Sequence, residues 1–203
     1  RLEQSRQTHA STTTKDLSVG MPPEIVIHDS FTLSETEAAY ILKMELPVSV
    51  DSVMLQSDIP VDMLDIRDDT AVRSFSPSRP EESNFLLATY TYPPNTTRLQ
   101  LKVRSIEGQY GTLQAYIVPN AEPKICTVRS YKLCALSLHQ RVGHAIDSTR
   151  PLNCLTLKGN FEFADMHSWI SICLPDVPTR TTEDGSATMT YVSTFLGTQL
   201  DCS

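Results

Sequence analysis

Ser137, His139, His144, Asp147 and Ser148 lie within twelve positions of one another and supply the letters of a hydrolytic triad: hydroxyl, imidazole and carboxylate. The triad chemistry also needs a sharp turn that presents the serine and backbone N–H groups that receive the oxyanion. No G-x-S-x-G elbow surrounds either serine, and no glycine-rich loop follows. His139, in "SLHQR", therefore reads as a hydrogen-bonding structural histidine. No cysteine stands at an evident helix start or among cations, so a thiolate nucleophile has no support either.

Cys126, Cys134, His139, His144 and Cys154 are zinc-ligand types, but 7, 4, 4 and 9 residues intervene between them. A zinc site usually takes its ligands in closely spaced pairs, which fix two of them on one turn. These cysteines read instead as small apolar residues on strand faces, and neither metal nor other cofactor is expected. In "SDIPVDMLDIRDD", Asp58, Asp62, Asp65, Asp68 and Asp69 crowd together without the central glycine or alternate-position spacing of a calcium loop. That stretch reads as a solvated loop between strands. The pair Gly108 and Gly111 in "RSIEGQYGTLQAYIVP" resembles a phosphate loop only superficially. A phosphate cradle needs a helix N-terminus directly after it, whereas "TLQAYIVP" is β-rich and ends in proline. The expectation is a hairpin turn in which the glycines take positive φ.

The elements that position these residues follow from periodicity. In "TRLQLKVRSI", Leu99, Leu101 and Val103 alternate with Gln100, Lys102 and Arg104, as in a strand with one wet face. "AAYILKMELP" places Tyr40, Leu42, Met44 and Leu46 on one side. With "EIVIHDSFTL", "VDSVMLQS", "TAVRSFS", "NFLLATYTY" and "TLQAYIVP", about seven short strands lie between Glu24 and Pro119, separated by turn residues. The fold class expected is mainly β, an immunoglobulin-like antiparallel sandwich. "SETEAA" could form one helical turn in a crossover. Residues 1–23 are polar and end in Gly20-Met21-Pro22-Pro23, a linker.

After Pro119–Pro123 the pattern changes. "KICTVRSYKLCAL", "LNCLTLKGNFEF" and "SATMTYVSTFL" read as strands, and Phe163, Met166, Ile170, Cys173 and Leu174 recur at helical spacing. A helix over about 164–174 should stop before Pro175 and lay that stripe on a three-stranded sheet. Residues 124–203 thus form a second, partial α/β unit in which one helix gives too little cover. Trp169, the only tryptophan, and His167 lie beside the stripe and are candidate partner-facing anchors. Asp65, Asp68 and Asp69 form a candidate acidic rim facing a basic partner.

A formal charge of −7 and a pI near 5.2 argue against nucleic acid, which needs a clustered basic stripe. No apolar run approaches the roughly 18 residues of a membrane span, and the N-terminus is not a signal peptide. A chain starting without methionine reads as part of a longer protein. Five cysteines, all after position 125, point to a reducing compartment. The sequon Asn95-Thr96-Thr97 points the other way and keeps a secreted or cell-surface adhesion-type sandwich as the alternative.

The runs "MLQSDIPVDMLDI", "NFLLATY", "TTRLQLKVRSIEGQYGTLQAYIVP", "SLHQR", "LTLKGNFEFADMHSWISICLPDVP" and "TFLGTQL" resemble the Bardet-Biedl syndrome 7 family over about residues 25–200. The resemblance implies a non-catalytic, cytoplasmic and ciliary subunit of the BBSome, a coat-like complex that carries membrane proteins to and from cilia. It implies other BBSome subunits and ciliary membrane-protein cargo as partners, with membrane contact indirect through the complex. On the family's map, residues 1–16 would end a coiled coil with its own partner. Residues 24–119 would form a γ-adaptin-ear-like sandwich, and 124–203 part of a platform domain. Adaptor ears bind short peptides, but no such pocket can be matched here residue by residue.

Overall fold

Alternation of apolar and polar residues decides which side of each strand meets the core. In the computed structural model, which describes residues 25–64, 71–77, 79, 81, 86–144, 149, 151–179 and 187–203, nine strands form the first unit. They are β1 (His28–Ser34), β2 (Ala39–Glu45), β3 (Val50–Ser57), β4 (Val61–Leu64), β5 (Val72–Ser76), β6 (Leu87–Thr91), β7 (Arg98–Ser105), β8 (Gly111–Pro119) and β9 (Thr127–Leu133). One sheet has the order β1-β2-β7-β4 and the other β5-β6-β3-β8-β9, with every pairing antiparallel. The inward residues of both sheets merge into one core that includes Leu42, Val53, Leu101, Val103, Leu113 and Ile117. Full burial of each such side chain contributes about 1.5–3 kcal/mol. This is the β-sandwich that the alternation predicts.

Four local expectations are corrected. The stretch read as an acidic loop contains β4, in which Val61 and Met63 are buried and Asp62 faces out. Its carboxylates hid a short alternation. Residues 34–39, expected in a crossover, instead close the β1–β2 hairpin, and Ala38 takes φ +47° there. The Gly108–Gly111 segment is no hairpin, because β7 and β8 lie in different sheets and the loop carries the chain from one layer to the other. Only Gly108 has positive φ, at 107°. Gly111 is instead a close approach: a Cβ there would collide with the Asp58 carboxylate and the Ile59 side chain. Finally, β9 does not open the second unit. It pairs with β8 from Gly111↔Leu133 to Ile117↔Thr127, so the boundary expected at 119–124 lies inside the sandwich sheet.

The second unit contains β10 (His139–Val142), the helix α1 (Phe163–Cys173), β11 (Met189–Ser193) and β12 (Gln199–Cys202), with β10-β11-β12 forming an antiparallel sheet. At the start of α1 the Glu162 N–H donates to the Asp165 carboxylate at 3.1 Å, which satisfies one free helix-start donor. The helix ends as Leu174 turns extended before Pro175. The expected strand over 152–163 is absent: residues 151–160 are all exposed and pair with no sheet. β-like alternation makes a strand only where an edge is there to receive it.

The core position of β7 yields a direct check. Leu101, 4 % exposed, should not tolerate aspartate, because an unpaired carboxylate would sit in apolar surroundings. Thermal melting of Leu101→Asp should show no cooperative transition, while Gln100→Asp, on the wet face, should melt like the parent. A cooperative melt for Leu101→Asp would show the strand phase to be wrong.

Candidate functional site at the sandwich junction

The loop between β7 and β8 and the turn at 134–138 meet where the two units join. The Glu107 carboxylate accepts from the Leu138 N–H at 3.1 Å and lies 2.9 Å from His139 Nδ1. The Gly108 N–H donates to the Ala135 carbonyl at 2.7 Å. From the opposite side, the Tyr40 hydroxyl donates to the Ser137 carbonyl at 2.7 Å, and the hydroxyls of Ser105 and Ser137 are hydrogen-bonded to each other. Ser105, Ser137 and His139 are buried, and each has a partner. A buried polar group left unpaired costs about 1–3 kcal/mol, so these bonds hold the seam in one arrangement.

Two side chains extend the seam. Arg104 points off the wet face of β7 and donates to the Glu37 and Ala38 carbonyls at 2.6 and 2.9 Å. Its guanidinium also lies 5.3 Å from the Phe195 ring in the β11–β12 turn, a cation–π contact between the units. Lys132 on β9 donates to the Ser171 carbonyl of α1 at 2.6 Å. Beyond β9, the Ala135 and Leu136 N–H groups bond the Ile172 and Cys173 carbonyls at 3.1 and 2.7 Å, so the C-terminal end of α1 lies along the turn.

This geometry gives Ser137 and His139 a structural role. Ser137 has no exposed surface, and its hydroxyl is engaged by Ser105. His139 orients with Glu107, while His144 lies at the surface and Asp147 and Ser148 fall outside the described residues. Nor do the zinc-type residues converge: Cys126 and Cys154 are exposed, whereas Cys134 is buried against the Ser171 carbonyl. Burial pushes the Cys134 thiol above its ordinary pKa, with Asp176 and Cys173 adding and Lys132 opposing. That is the reverse of what a nucleophilic thiolate requires.

The candidate anchors lie away from the seam. Trp169 is 51 % exposed and meets the Phe161 ring edge-on, ring centroids 5.6 Å apart. His167 is half-buried beside Phe163, and its Nε2 has no hydrogen-bond partner among the described residues. The structure does not bring Trp169 or His167 to the junction. Asp65, Asp68 and Asp69 lie outside the described residues. Glu107, Arg104 and Tyr40 escaped the sequence reading: their partners are 31 to 97 positions away by number and no spacing rule connects them. The only signal was that Arg104 continues the wet side of an otherwise clear strand.

Two family models cover most of the chain: one described as the BBS7 GAE domain matches residues 23–131, and one described as the BBS7 platform domain matches residues 139–203. The gap between them falls at the turn where the seam lies. The chain is 48% identical over 200 residues, 98% of its length, to a mouse (Mus musculus) protein named BBSome complex member BBS7. It is 34% identical over 177 residues, 86% of its length, to the Caenorhabditis elegans BBSome complex member bbs-7. The chain matches 28% of the length of the first and 24% of the second.

Two measurements probe the junction. Glu107→Ala should destabilise the chain by about 1–3 kcal/mol, because it strips the Leu138 N–H and His139 of their acceptor. Adding His139→Ala should then cost less than it does alone in chemical denaturation. Additive costs would show that the pair does not act together. The second concerns alkaline pH. Burial is the main cause raising the pKa of Tyr40, Tyr131 and Tyr191 above the ordinary value of 10.0. The folded form therefore holds their protons more tightly than the unfolded one, so stability is intact below pH 10 and falls as pH rises beyond it. Tyrosinate absorbance for these three should appear only as the chain unfolds. Ionisation of all seven tyrosines in the folded chain near pH 10 would contradict their burial.

Proposed function

The chain belongs to the BBS7 family, and from that premise we propose that it is a non-catalytic protein-interaction module of a BBSome subunit. The module scaffolds a coat-like complex that sorts membrane proteins to and from cilia. Its partners are the other BBSome subunits, with ciliary membrane proteins as cargo and contact with the membrane indirect. Its place is the cytoplasm, the basal body and the cilium. The names of both relatives, each a BBSome complex member, support this assembly role.

The observation that carries the reading is the uncovered apolar surface of the second unit. No residue of α1 is buried, and Phe163, Trp169 and Ile172 of that helix are exposed. Leu155, 84 % exposed, and Leu157 precede it. The buried apolar cluster beneath consists of Leu174, Met189 and Tyr191 among the described residues. Large exposed apolar patches mark interaction sites. The sandwich acts as the rigid support, and we place the division between the two units in the turn at 134–138.

Trp169 is the contact residue this reading favours, with His167 beside it and Asp65, Asp68 and Asp69 as an acidic rim. Truncating an aromatic anchor at the centre of an interface typically costs about 2 kcal/mol or more. Trp169→Ala in the full-length protein should therefore cut co-purification of other BBSome subunits roughly tenfold or more. Thermal melting of the 203-residue chain should stay unchanged, because the side chain is half exposed. Full recovery of subunits with Trp169→Ala would remove Trp169 from the interface.

A further inference from the structure

Sheet edges present backbone N–H and C=O groups that another strand can pair with, and proteins usually guard them with lysine, proline, bulges or shortness. Most edges here are guarded. β4, β10 and β12 are four residues each, and β5 carries a register shift between Val72 and Ser74. β9 bears Lys132 and Arg129 and runs into the turn capped by α1. β1 has none of these devices. It is seven residues long, "HDSFTLS", pairs with β2 in unbroken register, and makes no further backbone hydrogen bond among the described residues.

The surroundings of β1 are shaped as well as open. A hollow of about 890 Å³ adjoins Ile27–Ser30, and another of about 620 Å³ adjoins Phe31–Leu33. Lys43 lines the first and Lys132 the second, and among the described residues neither has a carboxylate partner. Two nearby acids are engaged: Glu45 pairs with Arg98 at 2.7 Å, and Asp29 with Arg129 at 3.2 Å and the Tyr131 hydroxyl at 2.7 Å. Asp176 lines the second hollow and disfavours a carboxylate directly opposite itself.

We propose that the free edge of β1 receives an extended, acidic segment of a partner protein as an added strand. Main-chain hydrogen bonds to β1 supply affinity, and carboxylates placed near Lys43 and Lys132 select the segment. This goes beyond the assembly reading and does not depend on it, since the pairing edge is β1 of the sandwich and not the exposed apolar face of α1.

The test uses fluorescein-labelled peptides about eight residues long, the span of a full strand, with alternating valine and glutamate, measured by anisotropy against the 203-residue chain. The valine–glutamate peptide should bind, and the valine–lysine counterpart should bind at least tenfold more weakly. Only alternate amides of an added strand face the edge. N-methylating one alternate set should therefore abolish binding, while N-methylating the other should spare it. Lys43→Glu, at an exposed position outside the seam, should weaken binding tenfold or more while leaving the melt unchanged. Absent binding, equal binding of the lysine peptide, or equal tolerance of both N-methylated sets would overturn the proposal. Binding that emerges only after removal of residues 1–23 would identify this chain's own segment as the occupant and would overturn it too.

Discussion

The Glu107 carboxylate reaches out of the loop that carries the chain from one sheet of the sandwich to the other, and it receives a backbone N–H and an imidazole from the next unit. Around it the Ser105–Ser137 hydroxyl pair and the Tyr40–Ser137 bond are withdrawn from water. Polar groups in such a place tolerate one arrangement and penalise others, because each broken bond leaves a buried donor or acceptor unmatched. Among the described residues the second unit has little apolar burial to stand on without this seam. The sandwich, whose core draws on both sheets, is the body that can supply it with a fixed base.

The division of labour follows. Apolar area holds the sandwich together, while the hydrogen bonds of Glu107 and Lys132 and the Arg104–Phe195 contact hold the second unit to it. An arrangement fixed by directional bonds presents its outer surface at a defined angle. The second unit leaves apolar side chains of α1 uncovered, and the sandwich leaves one long strand edge free among the described residues. These are different kinds of surface: one apolar, the other a row of backbone hydrogen-bonding groups.

Legibility in the sequence tracked the range of the interaction. β2 and β7 were readable because alternation is a local signal of a half-buried strand, and α1 because spacings of three and four are local as well. The burial of α1 was not readable, since it depends on what lies opposite. β9 looked like the start of a new unit after a proline-rich break, and only its pairing with β8 assigns it to the sandwich. Residues 152–163 carry strand-like alternation and pair with nothing, which shows pattern without a receiving edge. The junction was hidden because Glu107 and His139 sit 32 residues apart in chemically ordinary contexts. The family resemblance was the one signal that saw past local pattern, because long matched runs carry the fold's long-range contacts implicitly.

Native-state hydrogen exchange under increasing denaturant tests the central claim, that the second unit folds only against the sandwich. Amides of β10 and β11 should open in the same cooperative step as those of β7 and β8, with the same denaturant dependence. Exchange of β10 and β11 through a separate opening at low denaturant, while β7 and β8 stay protected, would show that the seam does not bind the two units into one body.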